Sequence, residues 1–206
     1  KAVSAQAGAN ATICEGESYL LSDAEAANYL NIGWNTNGSG TFSNSQALNP
    51  EYFPSSSDYT LGCVTLELTA QPVNPCLNGV VDNLQLCFQS PPTVVAGTDV
   101  SLCEGESYNL SDASAYYYSN LLWESNGDGT FDNESTVNPT YTPGPIDLNV
   151  QTVTLTVTVS AIDPCTGIEF DEIQISIQPK PIANAGDDAT IPEDESFTNT
   201  DASVIN

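Results

Sequence analysis

Arginine, histidine and methionine are absent from these 206 residues, and lysine occurs only twice, at Lys1 and Lys180. Each absence closes off a kind of chemistry. Without histidine, no Ser-His-Asp or Cys-His nucleophilic site can be assembled; carboxylate-pair chemistry alone stays formally open. With 27 acidic residues and a formal charge of −25, nothing is present to neutralise phosphates. That excludes nucleic acid as a partner and argues against anionic membrane surfaces. No apolar run approaches the roughly 20 residues that span a bilayer, so no membrane insertion by this segment is expected. No initiator Met or leader precedes Lys1, as expected of an internal or processed start. What the charge does favour is solubility, self-repulsion and attraction for cations such as calcium.

What is present is a repeat. Ala7-Gly8 opens AGANATICEGESYLLSDA, Ala96-Gly97 opens AGTDVSLCEGESYNLSDA and Ala185-Gly186 opens AGDDATIPEDESFTNTDA, each 89 positions after the last. Trp34 and Trp123 keep the same offset, as do Asn49-Pro50 and Asn138-Pro139, Tyr52 and Tyr141, and Cys14 and Cys103. The expected organisation is one repeat at 1–92, a second at 93–182, and the start of a third at 183–206.

Within each copy apolar residues alternate with polar ones. Val64, Leu66 and Leu68 are followed by Leu84, Leu86 and Phe88; the second copy has Val153, Leu155, Val157 and Val159, then Ile173, Ile175 and Ile177. A period of two, punctuated by Gly, Pro, Asn and Asp, predicts short strands. About seven strands per copy predict an all-β chain of tandem immunoglobulin-like sandwiches arranged end to end, with Trp34 and Trp123 as inward core anchors. The stretches NGSGTF and NGDGTF read as a hairpin turn and its return strand. The junctions SPPTVVAG and QPKPIANAG are short and proline-rich, which predicts limited freedom between copies.

Six cysteines allow 15 pairings. Cys14 and Cys76 recur as Cys103 and Cys165, each pair 62 positions apart, which predicts the bridges Cys14–Cys76 and Cys103–Cys165. Cys63 and Cys87 have no counterparts in the second copy, where Thr152 and Ser176 stand. If Val64 faces Leu86 on an antiparallel ladder, Cys63 faces Cys87 on the outer side, which predicts the third bridge. The spacing and the lack of histidine argue against zinc. Pro192 takes the place of the opening cysteine in the third copy, leaving that copy without its bridge. Disulfides imply an oxidising compartment, so the chain is expected to be secreted or displayed on a cell surface.

The segment LLWESNGDGTFDNESTVNPTYTPG, followed by VTLTVTVS, resembles polycystic-kidney-disease-type (PKD) domains. The units carrying ICEGESYLLSDA and LCEGESYNLSDA resemble repeats of giant surface proteins of gliding Bacteroidetes, flavobacteria among them. That resemblance implies a PKD/immunoglobulin-like fold, type IX secretion, and a role as an adhesin or surface fibre. The expected function is a structural stalk or extracellular filament segment of a cell-adhesion protein, without catalysis. Its partners would be neighbouring repeats of the same chain, with self-association into fibres or contact with surface glycans. The alternative is an accessory spacer or carbohydrate-binding module of a secreted enzyme.

No resident cofactor is expected, with one candidate exception. Asn126, Asp128 and Asp132 offer oxygen ligands at calcium-loop-like spacing, but Ser135 stands where the closing Glu would be. The same residues also suit an ordinary polar turn. The Glu residues of the CEGES stretches read either as cation-gathering groups or as solvated strand ends. Tyr116-Tyr117-Tyr118 reads as a sugar-stacking platform only if alternation leaves the rings exposed, and alternation is expected to bury one or two of them.

Overall fold

A computed structural model describes residues 1–205 of the chain. The first copy of the repeat contributes β1 (Ser4–Gln6), β2 (Ala11–Cys14), β3 (Tyr19–Leu20), β4 (Glu25–Ala27), β5 (Tyr29–Thr36), β6 (Thr41–Phe42) and β7 (Glu51–Phe53), then α1 (Ser56–Leu61), β8 (Cys63–Pro72) and β9 (Val80–Gln89). The second copy repeats the succession as β10 (Thr93–Val95), β11 (Val100–Cys103), β12 (Tyr108–Asn109), β13 (Ser114–Tyr116), β14 (Tyr118–Ser125), β15 (Thr130–Phe131) and β16 (Thr140–Thr142), then α2 (Pro145–Val150), β17 (Thr152–Ala161) and β18 (Ile168–Gln178). A last hairpin pairs β19 (Ile182–Asn184) with β20 (Ser203–Ile205).

Each copy builds a four-stranded sheet, ordered β2-β9-β8-β5 and β11-β18-β17-β14, and a three-stranded sheet, ordered β3-β7-β6 and β12-β16-β15. The opening strand lies parallel to the closing one in both copies, β2 beside β9 and β11 beside β18. β8 and β9 are antiparallel, with Cys63 opposite Cys87 and Val64 opposite Leu86. Small two-stranded pieces, β1-β4 and β10-β13, complete the set. Among the described residues the chain is all-β apart from two short helices, and its fold is of the immunoglobulin-like kind.

Strict alternation positions the core. Along β8 every second residue (Val64, Leu66, Leu68, Ala70) is buried, and Leu84 and Leu86 of β9 meet them from the neighbouring strand. Val153, Leu155, Val157 and Val159 of β17 and Ile173, Ile175 and Ile177 of β18 do the same in the second copy. Each buried valine, leucine or isoleucine contributes about 1.5–3 kcal/mol by leaving water. Trp34 and Trp123 are 6% and 2% exposed. Trp34 stacks towards Phe42 and Phe42 towards Tyr52, and the train recurs as Trp123, Phe131 and Tyr141.

Two features differ from the sequence expectation. The NGSGTF stretch does not close a hairpin: β5 pairs with β8, whereas β6 pairs with β7, so the turn carries the chain from one sheet to the other. β14 and β15 likewise belong to different sheets of the second copy. The glycines are there for close approach rather than for a hairpin. A Cβ at Gly40 would collide with the Tyr52 hydroxyl and the Phe53 carbonyl, and one at Gly129 with the Tyr141 hydroxyl and the Thr142 carbonyl. The six-residue helices α1 and α2, too short to show a helical period, were not expected at all.

Contacts gather the chain into two compact units. The first comprises Lys1–Thr93 together with Tyr116–Ser119 and Ser160–Ile168; the second comprises Val94–Ala115, Asn120–Val159 and the chain from Glu169 onward. The first unit therefore takes in two loops whose sequence belongs to the second copy. That assignment bears directly on the disulfides. Cys63 is bonded to Cys87. Cys14, however, is bonded to Cys165, 151 positions away, instead of to Cys76. Cys103, expected to pair with Cys165, and Cys76 are exposed thiols. The reason is spatial: Cys165 lies on the Ser160–Ile168 loop, packed into the first unit beside the end of β2.

Candidate functional site

The polar groups that the fold treats most carefully are Asp58 and Asp147, the buried charged residues among those described, at 0% and 1% exposed. Both stand in the first turn of a short helix that links the two sheets. Asp58 Oδ2 accepts from the Tyr52 hydroxyl at 2.8 Å and from the Ser55 amide at 3.0 Å, while Oδ1 accepts from the Ser39 amide at 2.7 Å. Asp147 Oδ2 accepts from the Tyr141 hydroxyl at 2.6 Å, the Gly144 amide at 3.0 Å and the Gly129 amide at 3.1 Å. Its Oδ1 accepts from the Asp128 amide at 3.2 Å. A buried carboxylate is tolerable only when so provided with donors.

The electrostatics follow from this geometry. Burial pushes the Tyr52 hydroxyl up to about 12, with Asp58 beside it opposing a second negative charge. Burial and the bond to Asp147 push Tyr141 up to about 12 as well. Burial by itself would raise Asp58, but donation from the Ser39 and Ser55 amides, the Tyr52 hydroxyl and the Gly40 amide outweighs it, so the carboxyl lies below its ordinary 3.8. A carboxylate held ionised and enclosed by backbone amides organises a corner; it is not poised to accept a proton from a substrate.

The calcium-loop candidates are put to another use. Asp128 Oδ1 accepts from the amides of Ile146 at 2.9 Å and Asp147 at 3.2 Å, capping α2. Asn126 Oδ1 accepts from the Thr154 amide at 2.9 Å. Asp132 Oδ1 accepts from the amides of Thr140 and Asn133, each at 2.8 Å, and donation from Thr140 above all lowers its pKa below the ordinary 3.8. The three side chains serve three separate stretches of backbone, and no group of three or more His, Cys, Asp or Glu side chains suited to a metal occurs among the described residues. The CEGES glutamates also hold backbone: Glu17 accepts from the Cys14 amide, Glu106 from the Cys103 amide and Glu104 from the Lys180 amide.

Tyr116 and Tyr117 are both exposed, at 61% and 55%, with their rings tilted by 48°. Alternation was expected to bury one or two of the three rings. Tyr118, at the head of β14, is half-buried, whereas Tyr117 stays outside because it adopts a left-handed backbone, φ 57°, between β13 and β14, as Asn28 does at φ 56° in the first copy.

The Tyr–Asp pair was missed in the sequence, although signals for it were there. Asp58 and Asp147 keep the 89-residue offset, and Ser55-x-x-Asp58 has capping-box spacing. The structure confirms that box, with Ser55 Oγ accepting from the Asp58 amide at 3.3 Å.

No family model matches the chain, and no curated protein does. Among solved structures it is similar to extracellular cadherin domains 3–6 of protocadherin gamma B2, with a TM-score of 0.53 and 12% identity over 89% of this chain and 50% of that one. It is also similar to immunoglobulin domains 1–4 of Sidekick-1, with a TM-score of 0.52 and 16% identity over 85% of this chain and 49% of that one. An I-band fragment from titin gives a TM-score of 0.51 at 9% identity, over 87% of this chain and 66% of that one. At these identities the likeness is one of fold, that of tandem immunoglobulin-like and cadherin-like domains. The chain spans about half the length of the first two structures.

Proposed function

We propose that this chain is a structural segment, a stalk or fibre piece, of a large repetitive extracellular adhesin or filament. The observation that carries the reading is the Cys14–Cys165 disulfide, which ties together positions from successive copies of one 89-residue repeat. A covalent tie between copies serves an element that must keep its shape outside cells, where disulfides persist. Repeats at 1–92 and 93–182, with a third opening at 183–206, let length grow by addition. The charge of −25 keeps neighbouring fibres apart. The fold shared with extracellular cadherin domains fits this use. In this reading the segment itself carries out no catalysis, and its contacts are with neighbouring repeats and surface glycans. No helix is long and apolar enough to cross a membrane among the described residues.

The surface proteins of gliding Bacteroidetes, exported by type IX secretion, remain the proposed setting. Electron microscopy of the native protein tests the reading. Beaded threads with a period of about 25–35 Å, the length that strands of this size give at ~3.3 Å per residue, are the expected result. A compact head with one short arm of two or three beads would overturn it and make this chain an accessory arm of something else.

A further inference from the structure

Asparagine followed by glycine occurs three times, at Asn37-Gly38, Asn78-Gly79 and Asn126-Gly127. In water this dipeptide is a reactive setting for an asparagine side chain. The glycine amide nitrogen, unhindered by a side chain of its own, closes on the asparagine Cγ and expels ammonia. Two restraints oppose that closure: an amide that is already donating, and a carboxamide that is pinned elsewhere.

Asn37 and Asn126 keep the 89-residue offset, and the fold applies both restraints to each. Asn37 Oδ1 accepts from the Thr65 amide at 2.8 Å, while the Gly38 amide donates to Thr36 Oγ1 at 3.0 Å. Asn126 Oδ1 accepts from the Thr154 amide at 2.9 Å, while the Gly127 amide donates to Ser125 Oγ at 3.0 Å. The Asn37 amide also donates to the Thr65 carbonyl at 3.3 Å, and the Asn126 amide to the Thr154 carbonyl at 3.1 Å. Asn78-Gly79 is left without such partners. It lies on the loop between β8 and β9 with both residues exposed, and the Gly79 amide makes no backbone hydrogen bond among the described residues. Gly167, which matches Asn78 in the second copy, is exposed too, so the position is open in both.

We infer that Asn78 is a site of spontaneous covalent modification, converting to aspartate and isoaspartate, while the fold holds Asn37 and Asn126 back. The Gly79 amide gives its proton to a solvent base and its nitrogen bonds to Asn78 Cγ. The Cγ–Nδ2 bond breaks and ammonia leaves, giving a cyclic succinimide. Water then adds to one of the ring carbonyls. Breaking the ring bond at Cγ gives aspartate, whereas breaking it at the backbone carbonyl gives isoaspartate. A water enters and an ammonia leaves, and nothing is oxidised or reduced. Either product adds a negative charge to the loop, and isoaspartate also lengthens the main chain just before β9. The inference goes beyond the fibre reading and does not depend on it.

The test is to hold the purified chain at mildly alkaline pH in heavy-oxygen water, withdraw samples over time, and follow its chymotryptic peptides by mass spectrometry. Chromatography separates the aspartyl and isoaspartyl forms, and uptake of heavy oxygen marks passage through the succinimide. In the native chain Asn78 should convert at least about tenfold faster than Asn37 or Asn126, because freeing either of those first breaks two hydrogen bonds. In urea sufficient to unfold the chain, the three rates should converge, since the dipeptide is the same and the fold no longer distinguishes the sites. Native rates alike at all three sites would overturn the proposal. So would a gap that persists undiminished in urea, which would place its cause in the neighbouring sequence instead of the fold.

Discussion

The two copies solve one structural problem, the capping of a short helix over a buried tyrosine–aspartate pair, with different atoms. In the first, Ser55 precedes α1 and its hydroxyl accepts from the Asp58 amide. In the second, the matching residue is Gly144, which has no hydroxyl, and Asp128 reaches across from the turn to accept from the Ile146 and Asp147 amides. The residue matching Asp128 in the first copy is Ser39, which meets the corner through its backbone amide. A local cap has been exchanged for a remote one, and two positions changed together. A buried donor must find an acceptor, but the fold does not dictate which loop supplies it.

The largest expected effect comes from removing what the copies share. Asp58→Ala or Asp147→Ala strands several buried donors at once, each worth about 1–3 kcal/mol, so a loss of about 3 kcal/mol or more is expected in either case. Each copy holds one tryptophan, so urea unfolding with Trp34→Phe or Trp123→Phe as background reads the copies separately. Asp58→Ala should shift the Trp34 transition and Asp147→Ala the Trp123 transition; equal shifts at both would break the comparison.

A smaller and more pointed effect concerns what differs. Asp128→Ala should cost the second copy about 1 kcal/mol, the usual worth of a cap, whereas Ser39→Ala should be close to neutral. Gly144→Ser should destabilise the native chain, because a Cβ there runs into the Asp128 carboxylate. In the Asp128→Ala background the clash with the carboxylate is gone while that with the backbone of residue 128 remains, so the same change should cost less than in the native chain. A double-mutant cycle that shows no coupling between the two positions would refute the exchange.

The smallest effects should appear at the extremes of pH. Tyr52 and Tyr141 are raised from 10 to about 12, so their contribution is complete below pH 10 and lost as pH climbs through 12. Near-ultraviolet absorbance should show Tyr52 and Tyr141 among the late-ionising tyrosines, and one late ionisation fewer after Tyr141→Phe. Asp58, lowered below 3.8, contributes fully above that value and loses its contribution as pH falls through its folded pKa. Acid unfolding of the Trp34 copy, with and without Asp58→Asn, checks that limb.

Much of the fold was legible because period-two alternation is a local signal: β8, β9, β17 and β18 could be read residue by residue, and the facing of Cys63 and Cys87 followed from parity. The partner of Cys14 was not legible, for a reason peculiar to repeats. Cys76 and Cys165 stand at the same place in successive copies, so pattern and spacing fit both, and only packing distinguishes them. The corner was hidden differently. Gly38-Ser39-Gly40 and Gly127-Asp128-Gly129 look like turn glycines, yet they are small because a tyrosine hydroxyl and a carboxylate lie against them. Asp128 reads in the sequence either as a calcium ligand or as a turn residue because capping an amide and binding a hard cation call for the same oxygen.

The Cys14–Cys165 bridge gives the chain a particular response to being pulled. Tension carried along the chain crosses from Cys14 to Cys165 through the bond, so the residues between them form a covalent loop that the load bypasses. Of the parallel pairs, β2 beside β9 and β11 beside β18, only β2 and β18 lie on the loaded path. The load therefore shears neither pair, and the strands inside the loop are sheltered from it.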